Sequence, residues 1–197
     1  MTKAKADALS IIQFRKAAVG SLPAPIGVYA LCALDDVPVY VGRSKDGIRR
    51  RVQRHLTSAR SDVIANRMID VWEIAYVRCW PVTKPEHLAP LEAHLFNEFN
   101  KKSQLMNGSV MADVTLAFPV PEMTKIQILP TQEIVDRLRV QLRVSRQAKH
   151  FSDFLDHFLG VKDSSELLLA LTAHFGRLKR YFSTLRGIDD GGDGGEN

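Results

Sequence analysis

Two tripeptides of mirrored composition, Gly27-Val28-Tyr29 and Tyr40-Val41-Gly42, are the first residues in the chain whose types and spacing indicate chemistry. A phenol can donate or accept a hydrogen bond, and it can move a proton when its surroundings shift its pKa. A glycine removes a side chain where another backbone or a ligand must come close. Taken alone, the two tyrosines could equally be packing residues on one face of a sheet.

A basic stretch follows the second tripeptide directly. Five arginines and one lysine lie between positions 43 and 54, where Asp46 is the one acid. In the helix predicted there, Arg51 and His55 are four residues apart and share a face beside the apolar stripe. So dense a positive charge favours contact with phosphate groups. The four candidates for DNA contact are Arg43, Lys45, Arg50 and Arg54.

Two more polar residues stand out further along the chain. Glu92 lies between Leu91 and Leu95, at the border of the apolar stripe of a predicted helix. A carboxylate in that position is costly to bury unless it has a cationic partner or a bound metal. Asn107 follows fifteen residues later, in the sequence Leu-Met-Asn-Gly.

These six positions, taken in order, resemble the signature of the GIY-YIG nucleases, a family of phosphodiester-cleaving enzymes. The resemblance covers roughly residues 24–110, and valine replaces isoleucine in both tripeptides. The residues that carry it are Tyr29, Tyr40, Arg51, His55, Glu92 and Asn107.

The resemblance implies a role for each of these residues in metal-dependent cleavage of DNA. Glu92 would be the metal ligand, and a lone carboxylate completed by waters suits Mg²⁺ or Mn²⁺. Arg51 would hold the scissile phosphate. One of the two tyrosines, its pKa lowered by Arg51 and the metal, would deprotonate the attacking water, and the other would orient the water or the phosphate. His55 would assist as a hydrogen-bonding or proton-transfer group.

Asn107 would fix a phosphate or the metal shell. The division of labour between the two tyrosines stays open.

The elements that must position these residues follow from hydrophobic periodicity. Two short strands joined by Asp35-Asp36 predict an antiparallel hairpin. The order hairpin, helix, strand, helix, strand then predicts a small α+β domain, with a central antiparallel or mixed three-stranded sheet flanked by helices. The predicted elements are strands at 26–34, 37–41, 71–82 and around 110–118, and helices at 46–59 and 85–99.

The rest of the chain is predicted to be mostly helical. We expect an N-terminal helix within 1–22, the nuclease domain at 23–118, a linker at 119–130, a helical region at 131–186 and a disordered acidic tail at 187–197. Four arginines between 137 and 146 could supplement DNA binding.

Apolar residues of the last helix recur at alternating steps of three and four, as in a heptad seam. This helix could pack on the rest of the helical region, or the seam could join two copies of the chain as a homodimer. The seam positions are Leu168, Leu171, Phe175, Leu178, Phe182 and Leu185.

Composition limits the class of protein. The formal net charge is +5, and residues 1–110 hold 16 basic against 10 acidic side chains, which is compatible with a polyanionic partner. No apolar run is long enough for a membrane span, and two cysteines make no disulfide framework. We therefore expect a soluble, cytoplasmic protein with no membrane partner.

Three functions remain to be distinguished. The short chain, with one predicted catalytic domain and a helical appendage, favours a stand-alone nuclease of restriction or defence type. A repair or mobile-element (homing-type) endonuclease is the second possibility. The third is a module on the same fold that binds nucleic acid without cutting it.

Overall fold

The computed structural model describes residues 3–57, 69–160 and 164–187, and the predicted acidic tail lies outside this part of the chain beyond Gly187. Among these residues six helices and four strands form. The helices are α1 (Lys3–Gly20), α2 (Ile48–Thr57), α3 (Leu88–Lys102), α4 (Thr131–Leu138), α5 (Val140–Gly160) and α6 (Ser165–Leu185). The strands are β1 (Gly27–Ala33), β2 (Pro38–Ser44), β3 (Ile74–Pro81) and β4 (Thr124–Gln127). Single 3₁₀ turns at Val71–Glu73 and Pro85–His87 precede β3 and α3.

The four strands form one antiparallel sheet in the order β2-β1-β3-β4. The α+β class and the flanking helices agree with the sequence, but the sheet has four strands instead of three. The prediction of a strand around 110–118 was wrong. Met111, Leu116 and Phe118 in that segment pack singly against an apolar cluster, and its backbone joins no strand ladder. The fourth strand lies instead within 119–130, the segment expected to be a linker.

The strands place successive side chains on opposite faces of the sheet, and both faces are covered. On one face Tyr29 and Leu31 pack with Ile48 and Val52 of α2. On the other face, Val28, Ala30 and Val41 pack with the apolar stripe of α3. All seven residues of β1 are buried as a result. Strand β2 lies at the edge of the sheet, next to β1.

The C-terminal helices share the core of the sheet. Phe154 of α5 and Leu167 and Ala170 of α6 belong to the same buried cluster as Tyr29. Helix α5 runs unbroken from Val140 to Gly160. The chain turns earlier, at Arg139, whose backbone leaves the helical conformation.

Helix α6 packs through a face next to the predicted heptad seam. Its buried residues are Leu167, Ala170, Leu171, Ala173, His174, Arg177 and Tyr181. Of the seam positions Leu171 is buried and Leu178 is half-buried, while four remain exposed to solvent. The exposed four are Leu168, Phe175, Phe182 and Leu185.

A buried cluster of charges joins the helical region to the sheet. Arg143 of α5 donates through Nε to Glu73 Oε1 at 2.8 Å, and its Nη1 lies 3.0 Å from Asp35 Oδ2 in the β1–β2 turn. Arg146 also pairs with Glu73 and lies 3.2 Å from Asp70. Arg143 holds the pKa of Asp35 below its ordinary value, against the effect of burial. This pairing orients α5 across the end of the hairpin.

In the described part of the chain, no helix is both long enough and apolar enough to cross a membrane.

Candidate active site

The two motif glycines are sites of close approach. Tyr29 lies directly across the β1–β2 ladder from Gly42. A Cβ atom at Gly42 would lie 2.7 Å from Tyr29 Oη and 2.8 Å from Tyr40 Cε1, so the phenol of Tyr29 occupies the space of a side chain. At Gly27 a Cβ would lie 2.4 Å from the Trp80 carbonyl oxygen and 2.6 Å from Ile48 Cδ1. A side chain at position 27 would thus clash with backbone, and one at position 42 would displace the Tyr29 phenol.

Helix α2 brings His55 against Tyr29. The helix buries Ile48, Val52 and Leu56 in the core, which turns the adjacent face, with Arg51 and His55, toward the tyrosines. Tyr29 Oη and His55 Nε2 form a hydrogen bond 2.6 Å long, and both side chains are almost fully buried. The half-buried Tyr40 completes the group, with ring centroids 6.3 Å from Tyr29 and 5.9 Å from His55.

The environment of Tyr29 favours the protonated phenol. Burial raises its pKa far above the ordinary value, and the neighbouring Tyr40 raises it further. A hydrogen bond and the charge of Arg51 act in the opposite direction but do not overcome burial. The protonated phenol donates to His55 Nε2 in the imidazole tautomer with hydrogen on Nδ1, and it accepts from Nε2 in the other tautomer.

Glu92 meets a cation across the edge of the sheet. Its carboxylate Oε2 lies 3.2 Å from Nε of Arg43, which follows Gly42 in β2. The Glu92 side chain is 14% exposed and that of Arg43 is 41% exposed. Burial raises the pKa of Glu92, and the charge of Arg43 opposes this rise. The Glu92 charge also contributes to the raised pKa of Tyr29, so the carboxylate lies within electrostatic reach of the phenol.

The donor set fits a hard divalent cation. Among the described residues, no three His, Cys, Asp or Glu side chains form a cluster that could hold a metal ion. Glu92 is thus a single carboxylate at a partly open position, already facing a cationic group. Mg²⁺ is commonly held by one or two carboxylates, with waters and substrate phosphates completing its shell. The residues present therefore suit Mg²⁺ or Mn²⁺ and not a closed zinc site.

Asn107 binds the protein backbone. Its Nδ2 donates to the Val41 carbonyl at 2.7 Å, and its Oδ1 accepts from the Val41 amide at 3.1 Å. Both polar groups of the side chain are thus engaged with β2, between Tyr40 and Gly42. The structure places Asn107 as a support for the edge strand.

The basic residues divide into an exposed group near α2 and a second group in the helical region. Lys45, Arg50 and Arg54 are exposed, as is Arg43, and they lie on or just before α2 beside the tyrosines. Arg54 has one acidic neighbour, Asp46, at 3.8 Å.

The arginines of the helical region are not grouped in this way. Arg143 is buried, Arg146 is paired with two acids, and Arg137 is paired with Glu133. The expectation that this stretch supplements DNA binding is not supported by these contacts.

Residues outside the motifs also shape the site. Gly47, at the start of α2, has φ +97°, and a Cβ there would lie 2.3 Å from the Ala24 carbonyl oxygen. Gly47 lies in the first turn of the helix predicted at 46–59, and a glycine there could have indicated that the helix begins one residue later, at Ile48. Arg177 of α6 contacts the backbone at the start of β2. No local pattern in the sequence indicates that contact, because 139 positions separate the two residues.

Residues 25–107 match the family model of the GIY-YIG catalytic domain. The match spans somewhat less than half of the chain and contains every site residue named from the sequence. Residues 25–107 are therefore similar to the catalytic domain of the GIY-YIG nuclease superfamily. A search of curated proteins and a search of solved structures each found no match.

Proposed function

We propose that the protein is a metal-dependent DNA endonuclease that hydrolyses phosphodiester bonds beside strand β2 of its sheet. The single observation that carries the proposal is the Tyr29–His55 hydrogen bond beside Arg51 and Glu92, at an edge strand flanked by exposed arginines. This arrangement combines a proton-transfer pair, a phosphate-binding cation and a carboxylate for a metal.

The proton path follows from the raised pKa of Tyr29. A neutral phenol becomes a base only by giving up its own proton, and His55 Nε2 is placed to accept it at 2.6 Å. Tyr29 can then take a proton from the attacking water while His55 holds the first one. Tyr40, which is half-buried, orients the water or the phosphate. The alternative, with Tyr40 as the base, predicts that a phenylalanine at position 40 is the more damaging change.

Charge stabilisation would come from both sides of the phosphate. Arg51 would hold a non-bridging phosphate oxygen through its planar fork. A divalent cation at Glu92 would supply further neutralisation of the phosphate and the leaving oxygen. Arg43 at present faces the Glu92 carboxylate. We therefore expect Arg43 to turn toward the DNA when the cation binds.

The test is a cleavage assay on plasmid and oligonucleotide DNA with Mg²⁺, Mn²⁺ or EDTA. We expect cutting that requires metal and falls on the order of 100-fold or more in Glu92→Gln, Arg51→Met and Tyr29→Phe, as loss of positioned groups of this kind usually causes. Glu98→Gln is the matched control, because Glu98 is an exposed carboxylate on the same helix, with ion pairs to Lys102 and the half-buried His94. DNA binding without cutting in any metal would support the non-cleaving module instead.

A restriction or defence role is our proposal for the biological setting, in preference to repair or a mobile element. It is supported by the exposed apolar stripe of α6, because two joined copies would bring two nuclease sites to one duplex. Profiling on single-stranded, double-stranded, branched and methylated DNA tests it. Sequence-specific double-strand cutting supports restriction, and structure-selective nicking supports repair.

The homodimer itself is proposed through that stripe. Helix α6 carries Glu166 near its start and Lys179 and Arg186 toward its end, so two antiparallel copies would set opposite charges against each other. Sedimentation of the wild type should give a dimer mass, and Phe175→Lys with Phe182→Lys should give a monomer. The same change at Leu159, an exposed leucine of α5 outside the stripe, should leave the mass unchanged.

A further inference from the structure

The free edge of β2 is covered by a short irregular segment. The amide of Met106 donates to the Val39 carbonyl at 2.7 Å, and Asn107 bonds the amide and carbonyl of Val41. Residues 39 and 41 stand on either side of Tyr40 in the sequence. The segment therefore fixes the backbone on both sides of Tyr40. It also fixes the residue before Gly42.

Arg177 of α6 ties this segment to the start of β2. Its Nη2 donates to the Pro38 carbonyl at 3.0 Å and to the Gln104 carbonyl at 2.9 Å. Pro38 is the first residue of β2, and Gln104 lies two residues before Met106. One guanidinium group thus joins the two chain segments that run together along the edge.

Arg177 is buried, and its hydrogen bonds must offset the free-energy cost of burying a charged group. The residue is only 6% exposed, and burial lowers the pKa of its guanidinium. Within the described ranges Arg177 forms no ion pair, unlike Arg143 on the neighbouring helix. Burying such a charge is costly, and the phenol of Tyr181 and the charge of Asp35 offset part of this cost. The Nη2 group donates to the two backbone carbonyls at the edge of β2, which therefore depend on this side chain for a hydrogen bond.

We propose that Arg177 is a positioning residue of the nuclease site, which acts from the helical region through β2 on Tyr40 and Gly42. It holds the segment at 104–107 against the strand, and that segment holds the backbone on both sides of Tyr40. The activity part of this inference rests on the proposed function. The structural part does not.

The first readout is hydrogen exchange of single amides in the full-length protein. In Arg177→Met the amides of Val41 and Met106 should exchange at least about tenfold faster, since hydrogen bonds to a charged group are lost where the segment meets the strand. Amides in the β1–β3 ladder, such as Val77, should exchange as in the wild type. Arg177→Lys, which keeps a cationic donor, should restore part of the protection. Lys179→Met, an exposed change on the same helix, is the control.

The second readout is cleavage kinetics. Arg177→Met should lower kcat about tenfold or more, as misplacement of a reacting group does, with little change in the KM for DNA. A uniform rise in exchange across all strands, or unchanged exchange at Val41 and Met106, would overturn the proposal. If Arg177→Met does not fold, the same comparison is made with Arg177→Lys. Faster exchange confined to Val41 and Met106 together with a lowered kcat would support the proposal. Wild-type exchange at these amides, or faster exchange in every strand, would overturn it. A wild type that cuts no DNA would refute the proposed function and leave the exchange result to decide on Arg177.

Discussion

The hydroxyl of Tyr29 lies where a side chain at position 42 would be. The hydrogen bond to His55 depends on this arrangement, because the tyrosine reaches the imidazole by crossing over Gly42. Gly42 thus affects the site indirectly, because the absence of a side chain there leaves room for the phenol of Tyr29. Strand register fixes Tyr29 opposite Gly42 in the β1–β2 ladder. The Tyr29 ring therefore has little freedom to move elsewhere.

Replacing Gly42 by alanine should therefore impair cleavage without unfolding the protein. The new Cβ would force Tyr29 Oη away from its present place, and a displacement of about 1 Å at a reacting group costs on the order of 100-fold in rate. Single-turnover cleavage measures the loss, and thermal unfolding confirms that the fold is intact. Gly176→Ala is the control: nothing lies within 4 Å of that position, and alanine should stabilise α6 by about 0.5–1 kcal/mol. Cleavage at the wild-type rate by Gly42→Ala would contradict this reading of the site.

The sequence was informative about the site wherever a residue acts through its own local element. The period-two pattern of the hairpin places both tyrosines on one face, and the stripe of α2 places Arg51 beside His55. It did not reveal the ion pair of Arg43 with Glu92 or the attachment of Asn107 to Val41. Both contacts join residues far apart in the chain, and a side-chain type alone does not say which partner it meets.

At the scale of elements, contacts between distant residues also explain why the sheet was predicted with three strands and has four. Strand β1 is a continuous buried apolar run and the first half of β2 alternates, whereas β4, Thr-Lys-Ile-Gln, contains one apolar residue. Its strand conformation comes from pairing with β3 and could not be predicted from its composition. Residues 110–118 have the better β-forming composition, yet their apolar side chains are used in packing near α3.

The contact between α5 and α6 should be sensitive to acid. His174 is buried beside His150 and Arg177, and burial lowers its pKa to about 4, with Asp70 as the opposing charge. The unfolded chain binds a proton at this residue near its ordinary pKa of 6.5, so it takes up protons before the folded protein does. The folded state therefore loses stability as the pH falls from about 6.5 toward 4.

Urea denaturation at two pH values measures this effect. Between pH 7 and pH 5 the lowered pKa of His174 should remove about 2 kcal/mol from the free energy of unfolding. A His174→Gln variant keeps an amide that can reach the Gln147 carbonyl and cannot take up a proton. Its loss over the same interval should be smaller by about that amount. Equal losses in the two proteins would show that His174 is not buried in its neutral form.

At the scale of the whole molecule, the helical region and the sheet are joined by the charges around Glu73. Burial raises the pKa of Glu73, and Arg143 and Arg146 oppose this rise. Removing one member of such a buried group leaves the others without compensation. The cluster thus couples the folding of α5 to that of the catalytic domain.

Arg143→Met should cost about 3 kcal/mol of unfolding free energy, because Glu73 and Asp35 then lose a buried partner. The double variant Arg143→Met with Glu73→Gln should recover part of that loss, since the unpaired carboxylate is removed with its partner. Arg139→Met, which breaks an exposed pair with Asp136, should cost about 0.5 kcal/mol or less. Strictly additive effects of the two buried changes would argue against coupling.

The side chain of Asn107 also affects whether separate protein molecules can associate by adding strands to the sheet. An edge strand with unpaired amide and carbonyl groups is a template on which another chain can add a strand and begin aggregation. At Val41 both groups are already taken by one side-chain amide, and at Val39 the carbonyl is taken by Met106. The edge is thereby closed to strand addition along the stretch before the site. The protein can keep its candidate site beside the edge of a sheet without offering that edge as a template for fibrils.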